Sequence, residues 1–185
     1  MMSPRPTVRP GITDAMLREK ANVRRVTADE ALALCGLDKT GLWIPFYKLD
    51  GKPVTDTGSG FTGSRPFGRL RLDTPREGQK YHSWAGSCPH VFIPPGVAEA
   101  LARNGGVLHI VEGEFKALAL MEAGFATVGL AGFYCHVRPR GAGLDTEPEL
   151  LLELNALFSE RKLGRLLFVG DNDTTLNWQF SDAAT

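Results

Sequence analysis

The sequence predicts an α/β protein: a parallel sheet flanked by helices, preceded by a small α+β subdomain. Three observations lead there. After residue 106, three short apolar runs, Val107–Val111, Ala126–Leu130 and Arg165–Val169, alternate with helical stretches, as parallel strands covered on both faces do. Before residue 95 the runs are more polar and are joined by turn signals, as in a small antiparallel unit. The 185 residues, 43% hydrophobic and 23% charged, suffice for one ordinary domain or two small ones with a core. The expected organisation is a disordered Pro- and Arg-rich tail over residues 1–10, an α+β subdomain over 11–95 and an α/β subdomain over 96–185.

No apolar run reaches the roughly 18 residues of a membrane helix, and "MMSPRPTVRP" lacks the apolar centre of a signal peptide. The expectation is a cytoplasmic protein without membrane contact. Cys35, Cys88 and Cys135 form no CxxC pair, which suits a reducing compartment. Cys88-Pro-His90 and Cys135-His136 do not have structural zinc spacing. His82 and His90 read as polar surface or core histidines rather than ligands. Net charge is zero, but residues 1–80 carry 14 Lys and Arg against 9 Asp and Glu, and residues 81–185 carry 7 against 12. A basic front half beside an acidic rear half suits a polyanion held by one and metal ions held by the other. Solvated faces explain the same numbers.

Element by element, Thr13 or Asp14 can cap a first helix. Thr27 with Glu30 three residues later makes a capping box for a second, which Gly36 ends. "GLWIPFYKLDGKPV" reads as two strands around an Asp50-Gly51 turn, "TDTGSGFTGSRPFG" as a mobile loop, and "RLRLD" as a half-buried strand. "QKYHSW" and "HVFIPP" are further short strands. Then follow a helix at Val97–Arg103, strand Val107–Val111, helix Glu114–Ala123, strand Ala126–Leu130, helix Glu149–Arg161 with Leu150, Leu151, Leu154, Leu157 and Phe158 on one stripe, and strand Arg165–Val169.

Right-handed crossovers bring all three strand ends to one edge, where ligands bind in open α/β sheets. Glu112 ends the first strand, Gly129–Gly132 the second, and Asp171 and Asp173 follow the third. Three carboxylates on one rim suit a hard divalent cation. Such a site can polarise a phosphoryl oxygen, and Glu112 can serve as general acid or base. Taken singly, each motif has an ordinary explanation: an acid favoured by a helix dipole, turn glycines, or an Asp- and Asn-rich turn.

Together, "VEG" (Val111–Gly113), the helix closing at Ala123-Gly124, Thr127–Gly132 and "DND" (Asp171–Asp173) resemble a Toprim domain, the metal-dependent module of topoisomerases, DnaG-type primases and some nucleases. Upstream, "LWIPFYKLDGKPV", "RLRLD", "QKYHSW" and "HVFIPPGV" resemble the segment that precedes Toprim in DnaG-type primases. "EGEFKA" with "AGF" is closer still to the Toprim-containing domain of phage, plasmid and mobile-element replication proteins, often found beside a helicase-type ATPase.

The resemblance covers roughly residues 11–182. It implies a Toprim-like sheet and a primase-like N-terminal subdomain. It implies a catalytic role for Glu112, and Mg²⁺ or Mn²⁺ held by Glu112, Asp171 and Asp173. Arg69, Arg71, Lys80 and Tyr81 would bind nucleic acid or nucleotides, with Gly113 and Gly132 allowing close backbone approach. Tyr81 and Trp84 could stack on bases. The ordinary explanation of "RLRLD" is an exposed strand face with protective charges.

Lys116 stands where the primase pattern often has an acid. It enters the candidate catalytic set as a phosphate binder or as a partner of Glu112 or Glu114. A further acidic residue of some relatives is absent unless Asp182 serves. The sequence stops 12 residues after Asp173, short of the usual Toprim length, so the 96–185 unit reads as C-terminally truncated. The resulting expectation is Mg²⁺-dependent nucleotidyl transfer on single-stranded DNA in replication. The alternatives are a Toprim metal-dependent nuclease and a non-catalytic nucleic-acid-binding module of a replication assembly.

Overall fold

The computed structural model describes residues 11–56, 63–76, 79–132, 151–160 and 163–170. The expected tail at 1–10 lies outside them. The first described helical segment is a π-helical turn, Ala15–Lys20, not a capped α-helix: Asp14 already has helical backbone angles and makes no side-chain cap. Thr13 is the residue that caps, its Oγ1 accepting the Met16 N–H at 3.1 Å. Strand β1 (Arg24–Val26) leads into α1 (Ala28–Cys35). Here the local sequence rules hold. Thr27 Oγ1 accepts from the Glu30 N–H, the Glu30 carboxylate accepts from the Thr27 N–H, and Gly36 ends the helix in the left-handed conformation.

The Asp50-Gly51 turn forms, with the Lys48 N–H donating to Lys52 O at 2.8 Å and the Lys52 N–H to Asp50 Oδ1 at 3.0 Å. Its arms are short. Beyond a bridge between Tyr47 and Pro53, the returning chain leaves as β3 (Thr55–Asp56) and pairs with β4 (Arg65–Pro66). The loop expected to be mobile is therefore tied at both ends by a small ribbon, and residues 57–62 within it lie outside the described residues. Strand β2 (Gly41–Pro45) instead pairs with β1 and with β5 (Gly68–Arg76). β6 (Gln79–His82) completes an antiparallel sheet of order β1-β2-β5-β6.

Alternation along β5 sorts its side chains. Leu70 and Leu72 join Val26, Trp43, Ala31 and Cys35 in a small core under α1. Arg69 and Arg71, paired in register with Ile44 and Leu42, turn to the other face, toward the main core.

The second half follows the predicted order: α2 (Val97–Arg103), β7 (Val107–Glu112), α3 (Glu114–Glu122), β8 (Thr127–Leu130), α4 (Leu152–Glu160) and β9 (Arg165–Val169). The three strands form a parallel sheet of order β8-β7-β9. "HVFIPP" does not make a regular strand. Phe92 alone exchanges two hydrogen bonds with Gly129, at 2.8 and 2.9 Å, on the outer edge of β8. Pro94 and Pro95 have no N–H with which to extend the ladder. Leu151, just before α4, and Leu154 and Leu157 on it are buried as the stripe predicts; Leu150 lies outside the described residues.

One main core joins residues of both halves, among them Ile44, Phe46 and Phe67 with Leu108, Ile110, Leu118 and Leu154. Strand β9 departs from the expectation of full coverage: Leu166, Leu167 and Val169 are 38%, 37% and 39% exposed. Among the described residues β9 lies at the edge of the sheet, paired with β7 alone.

Candidate active site

Glu112 is the last residue of the central parallel strand β7, in register with Leu130 of β8. Its side chain is exposed, and among the described residues no ion pair engages it. Because the strands are parallel, the ends of β8 and β9 share its edge of the sheet. Val111 pairs with Val169, so Gly170 comes next in step with Glu112. Asp171 and Asp173 follow Gly170 in sequence; both, and Asp182, lie outside the described residues.

Two glycines shape the turn behind Glu112. Gly113 has φ +96° and ψ 150°, a combination close to glycine-only backbone space. Its N–H donates to Leu130 O at 2.7 Å, and its carbonyl accepts from the Ala117 N–H at 3.3 Å. Gly129 lies directly beneath. A Cβ there would stand 3.0 Å from Gly113 O and 3.3 Å from Ala117 Cβ. The head of α3 thus lies against β8 at a separation that leaves little room for a side chain.

Glu114, one residue beyond Gly113, is in the opposite environment. Its side chain is 2% exposed and its Oε1 accepts from Arg69 Nη1 at 2.5 Å; the Arg69 side chain is itself 16% exposed. Oε2 of Glu114 is buried and has no hydrogen-bond partner among the described residues. The Arg69 guanidinium also lies 4.5 Å from the Tyr81 ring centre. Arg71 stands 6.0 Å from that ring and 5.2 Å from the ring of Phe115. Burial, and after it the charge of Glu114, push the Tyr81 hydroxyl pKa above its ordinary value, against the pull of Arg71 and Arg69. A buried carboxylate costs several kcal/mol of hydration, and a close guanidinium with an aromatic cover offsets this.

The structure therefore brings Arg69, Arg71 and Tyr81 together, and adds Glu114 and Phe115 to them. Lys80 is exposed. By strand alternation it stands on the opposite face, the side on which a His82 ring nitrogen lies 3.2 Å from Cys35 O. Trp84 is also elsewhere: its ring abuts Gly36, with the Arg65 guanidinium 5.4 Å from its centre. Lys116 is exposed on the first turn of α3, while the ion pair of Glu114 is made with Arg69. Gly132 is half-buried two residues past β8.

A second polar cluster had no signal in the sequence. His90 Nδ1 lies 2.7 Å from Glu153 Oε1 and its Nε2 3.2 Å from Asp56 Oδ2, with all three side chains 13–14% exposed. Burial works against the charged imidazole, but the two carboxylates outweigh it and raise the pKa above the ordinary 6.5. Its partners are 34 and 63 positions away, so no local motif marks them. His90 lines an open cleft of about 410 Å³ with Lys48, Asp50 and Glu153, among others. A second cleft, of about 380 Å³, lies around Lys20, Tyr47 and Pro94–Glu99. Neither is lined by Glu112, Arg69, Arg71 or Tyr81.

Among the described residues no group of three His, Cys, Asp or Glu side chains is placed to hold a metal ion. Glu112 fits a hard cation as an exposed oxygen donor; Glu114, taken by Arg69, does not. Cys35 is buried and Cys88 exposed, both as free thiols; Cys135 lies outside the described residues. No described helix is long and apolar enough to cross a membrane. Comparisons with protein-family models, curated proteins and solved structures gave no match.

Proposed function

We propose that the chain is a primase-like Toprim protein of DNA replication, carrying out nucleotidyl transfer on single-stranded DNA with Mg²⁺ or Mn²⁺. The observation that carries this reading is the exposed Glu112 at the end of the central parallel strand, two residues from a helix head that meets Arg69 and Arg71, with the Tyr81 ring beside Arg69. A carboxylate at such a rim can take or return a proton, and the neighbouring arginine face can hold phosphates. Glu112, Asp171 and Asp173 would hold the metal, which when bound neutralises charge on the transferred phosphate. Arg71, with Tyr81 beside it, draws the strand by charge and stacking. A helicase-type ATPase is the partner that this reading favours.

The test is incubation of the protein with labelled nucleotides, a single-stranded template and Mg²⁺ or Mn²⁺. New oligonucleotides that disappear in Asp171→Ala support the proposal. Shortened template in their place supports a nuclease. Salt-dependent binding with neither product, unchanged in Asp171→Ala, leaves a binding module. Absence of nucleic-acid binding even at low salt overturns all three.

A further inference from the structure

Arg69 and Arg71 are two residues apart on one face of β5, yet their surroundings differ. Arg69 is 16% exposed, bonded to the buried Glu114 and covered by the Tyr81 ring. Arg71 has no ion pair among the described residues and lies between the rings of Tyr81 and Phe115. Glu114 is the first residue of α3, and one glycine separates it from Glu112. Gly113 receives no side-chain cap. The turn that presents Glu112 is thus held by the Gly113–Leu130 hydrogen bond, by the close seat on Gly129 and by the Arg69–Glu114 pair.

We propose that Arg69 is a positioning residue: through Glu114 it fixes the turn that presents Glu112, while Arg71 is the arginine of this strand that contacts the nucleic-acid phosphates. Arg69 comes from the antiparallel sheet and Glu114 from the helix of the parallel sheet. The pair therefore ties the strand that meets DNA to the turn that carries the reacting carboxylate. A guanidinium suits this task because it stays charged and can pair and stack at once. The division of roles rests on the nucleotidyl-transfer reading for its activity arm only.

The test compares the full chain with Arg69→Ala, Arg69→Lys, Glu114→Gln and Arg71→Ala by three readouts. These are affinity for a labelled single-stranded oligonucleotide, kcat and KM of nucleotide incorporation, and hydrogen exchange of the amides at 112–117. Arg69→Ala is expected to keep oligonucleotide Kd within about twofold, to lower kcat about tenfold or more with nucleotide KM held, and to speed exchange at 112–117 selectively. Glu114→Gln gives the same pattern, and Arg69→Lys falls between it and the wild type; this variant decides the matter if Arg69→Ala does not fold. Arg71→Ala weakens binding about tenfold and lowers its salt slope, with exchange at 112–117 unchanged. The proposal is overturned if Arg69→Ala weakens binding as much as Arg71→Ala while the turn exchanges at the wild-type rate. Faster exchange spread evenly over the chain, with no excess at 112–117 beyond the loss of global stability that urea unfolding reads, overturns it too. If the wild type makes no product, nucleotidyl transfer fails as a function, and the exchange and binding readouts still decide the role of Arg69.

Discussion

The rim of the parallel sheet and the joint beneath it are separated by a single glycine, and they treat the same residue type in opposite ways. Glu112 ends β7 in solvent. Glu114 begins α3 in the interior, bonded to an arginine 45 positions earlier. The difference lies in direction. Gly113, in a conformation that suits glycine, turns the chain sharply, so the two side chains leave on different sides of the helix head. A carboxylate in solvent keeps its charge at little cost and is available to a ligand; a buried one is committed to its partner. The doublet of acids in "EGE" is thus one exposed acid open to a ligand and one buried acid held by its partner.

The comparison breaks most visibly at the joint. Glu114→Ala leaves the Arg69 guanidinium buried without its partner, and a loss of about 3–5 kcal/mol is expected from buried pairs of this kind. Urea unfolding gives the value. Replacing both members with well-packed neutral residues should recover much of it, which would show that the loss is an uncompensated charge and not a missing contact.

Gly129→Ala should cost less, about 1–3 kcal/mol, because its Cβ meets Gly113 O and Ala117 Cβ at 3.0 and 3.3 Å. Thermal denaturation reads the cost. Amide exchange at 112–117 should rise in this variant even though Glu112 and Glu114 are unaltered.

His90 sharpens the comparison because its joint is built on an imidazole, the side chain whose charge changes near neutral pH. A charged imidazole donates to both Glu153 and Asp56, whereas a neutral one has a single N–H to give. Its folded pKa is raised, so the extra stability is fully present below about 6.5 and is lost as pH rises through the folded value. Lys48 and Asp50 line the same cleft, so the wild type should be compared with His90→Gln across pH and not read alone. A difference of about 1–2 kcal/mol should appear at pH 6 and shrink in alkaline buffer.

Glu112→Gln should affect stability least, with Tm moving by no more than about 2 °C. A large drop would mean that the rim residue is structural like its neighbour.

Much of the second half was legible in the sequence because its signals are local. Three apolar runs, the helical stretches between them and the handedness of crossovers placed Glu112 at a shared strand edge, and the parallel sheet has that form. The α1 capping box was readable for the same reason. Pairings between distant segments were not. Nothing local says that β2 pairs with β5 in place of the second arm of its own hairpin, that Phe92 makes a single bridge to Gly129, or that β9 stays half-exposed at an edge. Arg69 and Arg71 look alike in "RLRLD", and only a partner from α3 distinguishes them. Lys80 and Tyr81 are adjacent, and strand alternation separates them. The metal-ligand expectation for Asp171 and Asp173 lies outside the described residues.

The most direct measurement is nucleotide incorporation on a single-stranded template with Mg²⁺, comparing the wild type with Glu112→Gln under conditions where both are shown to be folded and to bind the template. The account predicts new oligonucleotides from the wild type and a loss of at least about a hundredfold in Glu112→Gln at unchanged Tm and template affinity. Equal incorporation by the two proteins, or none by the wild type, would contradict it.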